Sequence, residues 1–177
     1  MFILRKRLLL LLFSFGCFLQ LVGCSQKEPS SLTIMFFSDL PSALTNPLTE
    51  YTANIYNDPS IETNIHMYLS SPEKLTVEMV AGEADIFVVE DWMYNIIFDP
   101  VILHPLDEIA SKEEVNHRFY GTNELTGDKH VYALEMNSNS NLFKELNIEY
   151  SEPLIAVMMR DRELNDVGID VLEHWYK

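Results

Sequence analysis

At 177 residues, with 12 Lys and Arg against 27 Asp and Glu, the chain carries a formal net charge of −15. That balance cannot assemble a basic footprint for a phosphate backbone, so nucleic acid is excluded as a partner. The length suits one domain with a sizeable core, and the two cysteines, Cys17 and Cys24, are too few for a Cys-based metal site or a disulfide framework.

Arg5, Lys6 and Arg7 form a positive n-region, and the stretch from Leu8 to Val22 is mostly apolar. It is shorter than the ~20 residues a spanning helix needs, and Gln20 interrupts it. Leu21-Val22-Gly23-Cys24 resembles the lipobox of bacterial lipoproteins. By that resemblance residues 1–23 are a signal peptide, and the mature chain begins at Cys24, whose thiol takes a diacylglyceryl group. An ordinary signal peptide with an incidental Cys24 is the alternative. The lipidated chain is expected on the outer face of a bacterial cytoplasmic membrane. Its fatty acyl chains, palmitate among them, contribute roughly 0.8 kcal/mol per buried methylene. Residues 24–31 then form a short polar tether containing Pro29. Loss of Arg5, Lys6 and Arg7 enlarges the acidic excess, so the domain at 32–177 should stand off from an anionic bilayer surface.

Leu32 to Phe37 alternates and is rich in β-branched and aromatic residues, which predicts a strand ending at Ser38-Asp39. A helix is expected from about Asn46-Pro47, with Leu48, Tyr51, Thr52 and Ile55 on one face. The segment Glu62 to Ser71 alternates again and puts Ile65, Met67 and Leu69 on one side. Ser71-Pro72-Glu73 reads as a capped helix start, Leu75, Met79 and Val80 as its apolar stripe, and Gly82 as its end. Ile86 to Val89 is an unbroken apolar run, the pattern of a parallel strand buried on both faces. This succession of strands and helices predicts a right-handed βαβ wind.

Beyond it a short helix and an extended Leu103-His104-Pro105-Leu106 segment are expected, then a turn over Gly121 to Lys129 and a strand from His130 to Met136. Asn137 to Asn141 is a polar loop before the helical LFKELNI. Leu154 to Met159 reads as the last strand, and Leu164, Val167, Val171, Leu172 and Trp175 as one face of a closing helix. The fold class is therefore α/β, a doubly wound, mostly parallel sheet with flanking helices.

The stretches LTIMFFSDL, KLTVEMVAGEADIFVVEDWMYNI, ILHPLDEI and HVYALEMNSNSNLFKELNI resemble the first lobe of bacterial extracellular, periplasmic-type solute-binding proteins. Ala81-Gly82, Ala84-Asp85-Ile86 and Pro105-Leu106-Asp107-Glu108 occupy the places of that family's short motifs. The resemblance covers about three quarters of the chain after Cys24. It implies a lipid-anchored solute-binding lipoprotein that serves an ABC-type transporter or a sensor. Family members clamp a ligand between two lobes, whereas this chain has room for one, so it would hold its ligand in half a cleft.

In a doubly wound sheet, ligands lie beyond the carboxyl ends of the strands near the switch point. There the sequence offers Ser38, Asp39, Ser70, Glu90, Asp91, Trp92, Asn137, Ser138 and Asn139. These suit a small polar solute: a sugar stacked on Trp92 with hydroxyls on Asp39 or Asp91, or an amine or peptide on the carboxylates. Each also fits a plainer role: Ser71 as a cap, Asn137 to Asn141 as loop, Trp92 as packing against a helix. No phosphate loop, nucleophile elbow or zincin motif is present. The five histidines are scattered singly, and only folding could bring His130 to Glu90 and Asp91. No enzyme activity, cofactor or metal is expected. The alternative function is that of a one-lobe interaction or regulatory lipoprotein, which binds a membrane protein partner in place of a solute.

Overall fold

The computed structural model describes residues 30–177. The signal peptide at 1–23, Cys24 and the tether up to residue 29 lie outside the described residues. Ser30 and Ser31, read above as tether, belong to the first strand, β1 (Ser30–Phe37).

Two central strands set the architecture. β1 is buried over its last six residues except half-buried Thr33, and β3 (Ile86–Glu90) is buried throughout. Alternate side chains point to opposite faces, so each strand feeds two cores. Leu32, Ile34, Phe36, Ile86 and Val88 belong to one, and Met35, Phe37, Phe87 and Val89 to the other. Both faces must then be covered, and the connections cover them. β1 runs through α1 (Thr45–Tyr56) to β2 (Ile61–Tyr68) on one side, and β2 returns through α2 (Pro72–Ala81) to β3 on the other. Two right-handed crossovers in opposite directions place their helices on opposite faces. The doubly wound expectation holds.

The five-stranded sheet has the order β2-β1-β3-β7-β6, with β6 at Leu134–Met136 and β7 at Leu154–Met158. β1 pairs parallel with β2 and β3. β7 pairs antiparallel with β3 and β6, so four strands run one way and β7 alone is reversed. A separate hairpin joins β4 (Tyr120–Thr122) to β5 (Lys129–Val131). The strand expected over His130 to Met136 is thus two, because the chain passes at Tyr132-Ala133 from the hairpin to the main sheet.

Local signals account for much of the helical frame. Ser71 accepts from the Lys74 amide at 3.2 Å, Pro72 fills the first helical position, and Gly82 ends α2 with φ of +69°. The expected stripe on α2 needs correction, because Val80 is 83% exposed. It lies five residues past Leu75, about 140° around the helix, and Glu78 takes the inner position, paired with Lys74. Leu69 likewise lies past the end of β2 and is 76% exposed. The short α3 (Tyr94–Ile97) and α4 (Asn141–Glu145) follow the ends of β3 and β6.

α5 (Asn165–Tyr176) closes the molecule as its pattern predicts, with Val171, Leu172 and Trp175 buried and Leu164 and Val167 packed at the margin. It lies close against β7. A Cβ on Gly168 would sit 2.7 Å from the Met158 sulfur, and Met158 is fully buried. Gly168→Val should therefore overpack this contact and lower stability by about 1–3 kcal/mol. Thermal unfolding measures it as a midpoint lower by several degrees. An unchanged midpoint would mean that the helix does not depend on that close approach.

Candidate functional site: the strand ends around Glu90

The parallel register brings the ends of β1, β2 and β3 to one edge, since Phe37 lies opposite both Tyr68 and Val89. β1 connects to one side of the sheet and β3 continues on the other, so the switch point lies between them. Glu90, the last residue of β3, stands there with only 7% of its surface exposed.

A carboxylate so deeply placed needs donors, because an unpaired buried charge is costly. Three protein groups supply them. The Asp39 amide donates to Oε1 at 3.0 Å, the Trp92 indole N–H donates to Oε2 at 2.6 Å, and the Tyr150 hydroxyl donates to Oε1. The same Asp39 amide lies 3.4 Å from the Tyr150 oxygen. Ser70 Oγ is buried near this carboxylate without a hydrogen bond of good geometry. Burial alone raises the pKa of Glu90, but the bonds from Tyr150, Trp92 and Asp39 outweigh it and hold the carboxyl below its ordinary value. Tyr150 responds in the opposite sense: burial and its bond to the carboxylate push the phenol up to about 12.

Of the nine strand-end residues named from sequence, Glu90 is the centre, Asp39, Ser70 and Trp92 lie against its carboxylate, and Ser38 precedes Asp39 in the same loop. Ser38 serves the loop, its amide donating to Tyr68 O at 3.0 Å. The Asp39 side chain is exposed, and its carboxylate has no hydrogen-bond donor among the described residues. Trp92 fixes its N–H on Glu90 yet keeps 58% of its surface in solvent. The reading of Trp92 as a residue packed away against a helix is therefore corrected. A cavity of about 380 Å³ lies alongside, between Leu40–Leu44 and Asn147–Glu149, the chain neighbours of Asp39 and Tyr150.

The remaining four stand apart. Both oxygens of Asp91 face the Arg118 guanidinium, which also covers the Phe119 ring at 4.7 Å and the Tyr94 ring at 5.4 Å. Asn137 Oδ1 accepts from the Asn139 amide at 2.9 Å, and Asn137 O accepts from Ser140 N and Oγ, so Asn137 to Ser140 is a turn leading into α4. Ser138 and Asn139 are exposed on it. His130 is not joined to Glu90 and Asp91; its Nδ1 lies 2.8 Å from Asp107 Oδ2.

Tyr150 and Arg118 were missed from sequence. Their signal was topological. Because β7 is antiparallel, the segment entering it arrives at the carboxyl ends of its neighbours, and so delivers Tyr150 to the switch point.

The sequence matches no protein-family model. It is 25% identical over 130 residues to the candidate lipoprotein YteS of Bacillus subtilis (strain 168), covering 72% of this chain and 69% of that one. The crystal structure of the full-length BenM E226K mutant is similar at a TM-score of 0.37 and 10% identity, over 95% of this chain and 75% of the other. A likeness that distant carries no argument.

Tyr150→Phe removes one charge-assisted bond to Glu90 and should cost about 1.5–3 kcal/mol at pH 7. The folded pKa of Glu90 lies below its ordinary 4.5, so this contribution is present above 4.5 and is lost as pH falls through the folded value. Urea unfolding of both proteins at a series of pH values should show the gap at pH 7 shrinking below about pH 4.5. A gap independent of pH would mean that the phenol acts only through packing.

Proposed function

We propose that the chain is a lipoprotein anchored through Cys24 on the outer face of a bacterial cytoplasmic membrane. Its single α/β domain would bind a small polar solute at the strand ends and present it to an ABC-type transporter or a sensor. The anchor is supported by the basic flank, the apolar run and Leu21-Val22-Gly23-Cys24, and by similarity to a candidate lipoprotein. Among the described residues no helix is long and apolar enough to cross a membrane.

The observation that carries the binding reading is Trp92. Its N–H is pinned to Glu90, so the ring is held at low entropic cost with more than half of its surface in water, and Asp39, whose amide bonds the other oxygen of Glu90, has an exposed side chain. A ring fixed in this way suits the apolar face of a sugar, with hydroxyls donating to Asp39 and to the rim of the cluster. One lobe offers a shallow seat, so weak binding is expected. A second reading, docking of a membrane protein on the same surface, is favoured by Leu69, an exposed apolar side chain at the neighbouring strand end.

The two tryptophans make the test direct, because Trp175 is fully buried and Trp92 is exposed. Sugars, amino acids and short peptides should be titrated into the detergent-solubilised protein while emission and thermal midpoint are recorded. A bound solute should change the Trp92 emission, and the change should vanish in Trp92→Phe. At 100 times its dissociation constant it should also stabilise the fold by about 2.7 kcal/mol. No response to any class would sink the solute reading in favour of a protein partner.

The anchor has its own test. Cys24→Ser should abolish labelling by an alkyne analogue of palmitate and release the protein from the membrane fraction. Retention with full labelling would refute lipidation at this residue.

A further inference from the structure

The main sheet ends in two edges of unlike length. β6 is three residues long, whereas β2 presents eight. β2 pairs with β1 residue for residue along its whole length, without a bulge, and its outer side has no strand partner among the described residues. It also holds no proline or lysine, the residues that commonly blunt such an edge. We propose that this edge is an interface with a second copy of the chain, which joins two five-stranded sheets antiparallel about a two-fold axis. The proposal rests neither on the strand-end reading nor on the lipid anchor.

Main-chain direction decides which groups are available. The Ser38 amide donates to Tyr68 O at 3.0 Å, so Tyr68 turns its carbonyl towards the β1 side. Main-chain groups alternate sides along a strand, so Asn64 and His66 face the same way. Thr63, Ile65 and Met67 then aim their N–H and C=O groups outward. None of these three amides has an acceptor among the described residues.

Two copies of one strand related by an isologous axis run antiparallel, and outward-facing residues must pair with outward-facing residues. Placing the axis at Asn64 meets this condition. Thr63 then lies opposite the partner's Ile65, and Ile61 opposite the partner's Met67, on the α1 side. On the other face Glu62 lies opposite the partner's His66, twice over by symmetry, and the two Asn64 amides meet at the axis. Glu62 and His66 are both exposed, and neither has an ion-pair partner among the described residues. An imidazole donates an N–H to a carboxylate when neutral and adds the opposite charge when protonated. Moving the axis to Thr63 or Ile65 keeps the outward groups paired but sets Glu62 against Asn64 or Tyr68, so charge complementarity selects the register centred on Asn64. The short β6 edge offers little for further growth, and the assembly closes at two. An axis normal to the sheet also sets both Ser30 residues at one height, so two chains anchored at Cys24 can share one bilayer.

The test is sedimentation of the detergent-solubilised full chain over a range of concentrations, with the bound detergent density-matched. A monomer–dimer equilibrium is expected. Glu62→Lys and His66→Glu should each weaken dimerisation roughly fivefold to tenfold, and the double substitution, which restores opposite charges, should recover most of the loss. Oxidation then reads the register. Asn64→Cys should give a disulfide-linked dimer, because facing residues of a non-hydrogen-bonded pair have Cα atoms about 4.5 Å apart. Glu62→Cys alone should not exceed the background that Cys17 and Cys24 set in the unsubstituted chain. Open-ended oligomers, dimers indifferent to both charge substitutions, no recovery in the double substitution, or equal cross-linking at both positions would each overturn the proposal. A monomer at every concentration would overturn it too, and would leave the edge to a strand of a different protein.

Discussion

Burial of β1 and β3 on both faces is the constraint from which the rest of the architecture follows. Neither strand has a face it can turn to water, so helices must cover both sides, and two crossovers of the same hand supply them. Fully burying one large aliphatic or aromatic side chain stabilises by about 1.5–3 kcal/mol, and these two strands contribute nine of them between Leu32 and Val89. The same constraint creates the chemistry of the molecule. A strand sealed on both faces can expose polar groups only at its ends, and Glu90 is the point at which β3 meets water.

Glu90 joins otherwise separate parts of the chain. Through its carboxylate the loop after β1, the turn after β3 and the segment entering β7 share one set of hydrogen bonds. The cluster is braced and presentational at once: the bonds that satisfy the buried charge also orient the exposed indole of Trp92. Asp91, one residue later, is neutralised by Arg118 and contributes to holding the hairpin side of the molecule against the sheet. Adjacent acidic residues therefore do different work, set by which donors the topology brings to each.

What was legible in the sequence was local. The alternation of β1 and β2, the cap and left-handed glycine of α2, the unbroken run of β3 and the apolar face of α5 all stand where their patterns place them, because each pattern reports burial along a single element. What was hidden depended on partners distant in the chain. Leu154 to Met158 looks the same whichever way it runs, so its reversal was unreadable, and with it the arrival of Tyr150 beside Glu90. Tyr132 and Ala133 are fully buried without lying in a strand, and burial alone made one strand of two. Val80 and Leu69 misled for a related reason: an apolar residue next to an apolar stripe need not belong to it. Asn137 was legible only as polar, and its turn into the next helix came from the structure.

The reversed β7 has a consequence for how the chain is made. Strands β2, β1 and β3 and their two helices are complete by residue 90, and their contacts are short in sequence. The exposed edge of β3 must then wait for a partner that begins at Leu154. A chain emerging N-terminus first holds a paired three-strand half whose most apolar strand is an open edge until some sixty further residues have followed. Such an edge is a template for pairing with other chains. The order of synthesis thus makes the interval between β3 and β7 the aggregation-prone stage of biogenesis, and the antiparallel insertion of β7 ends it.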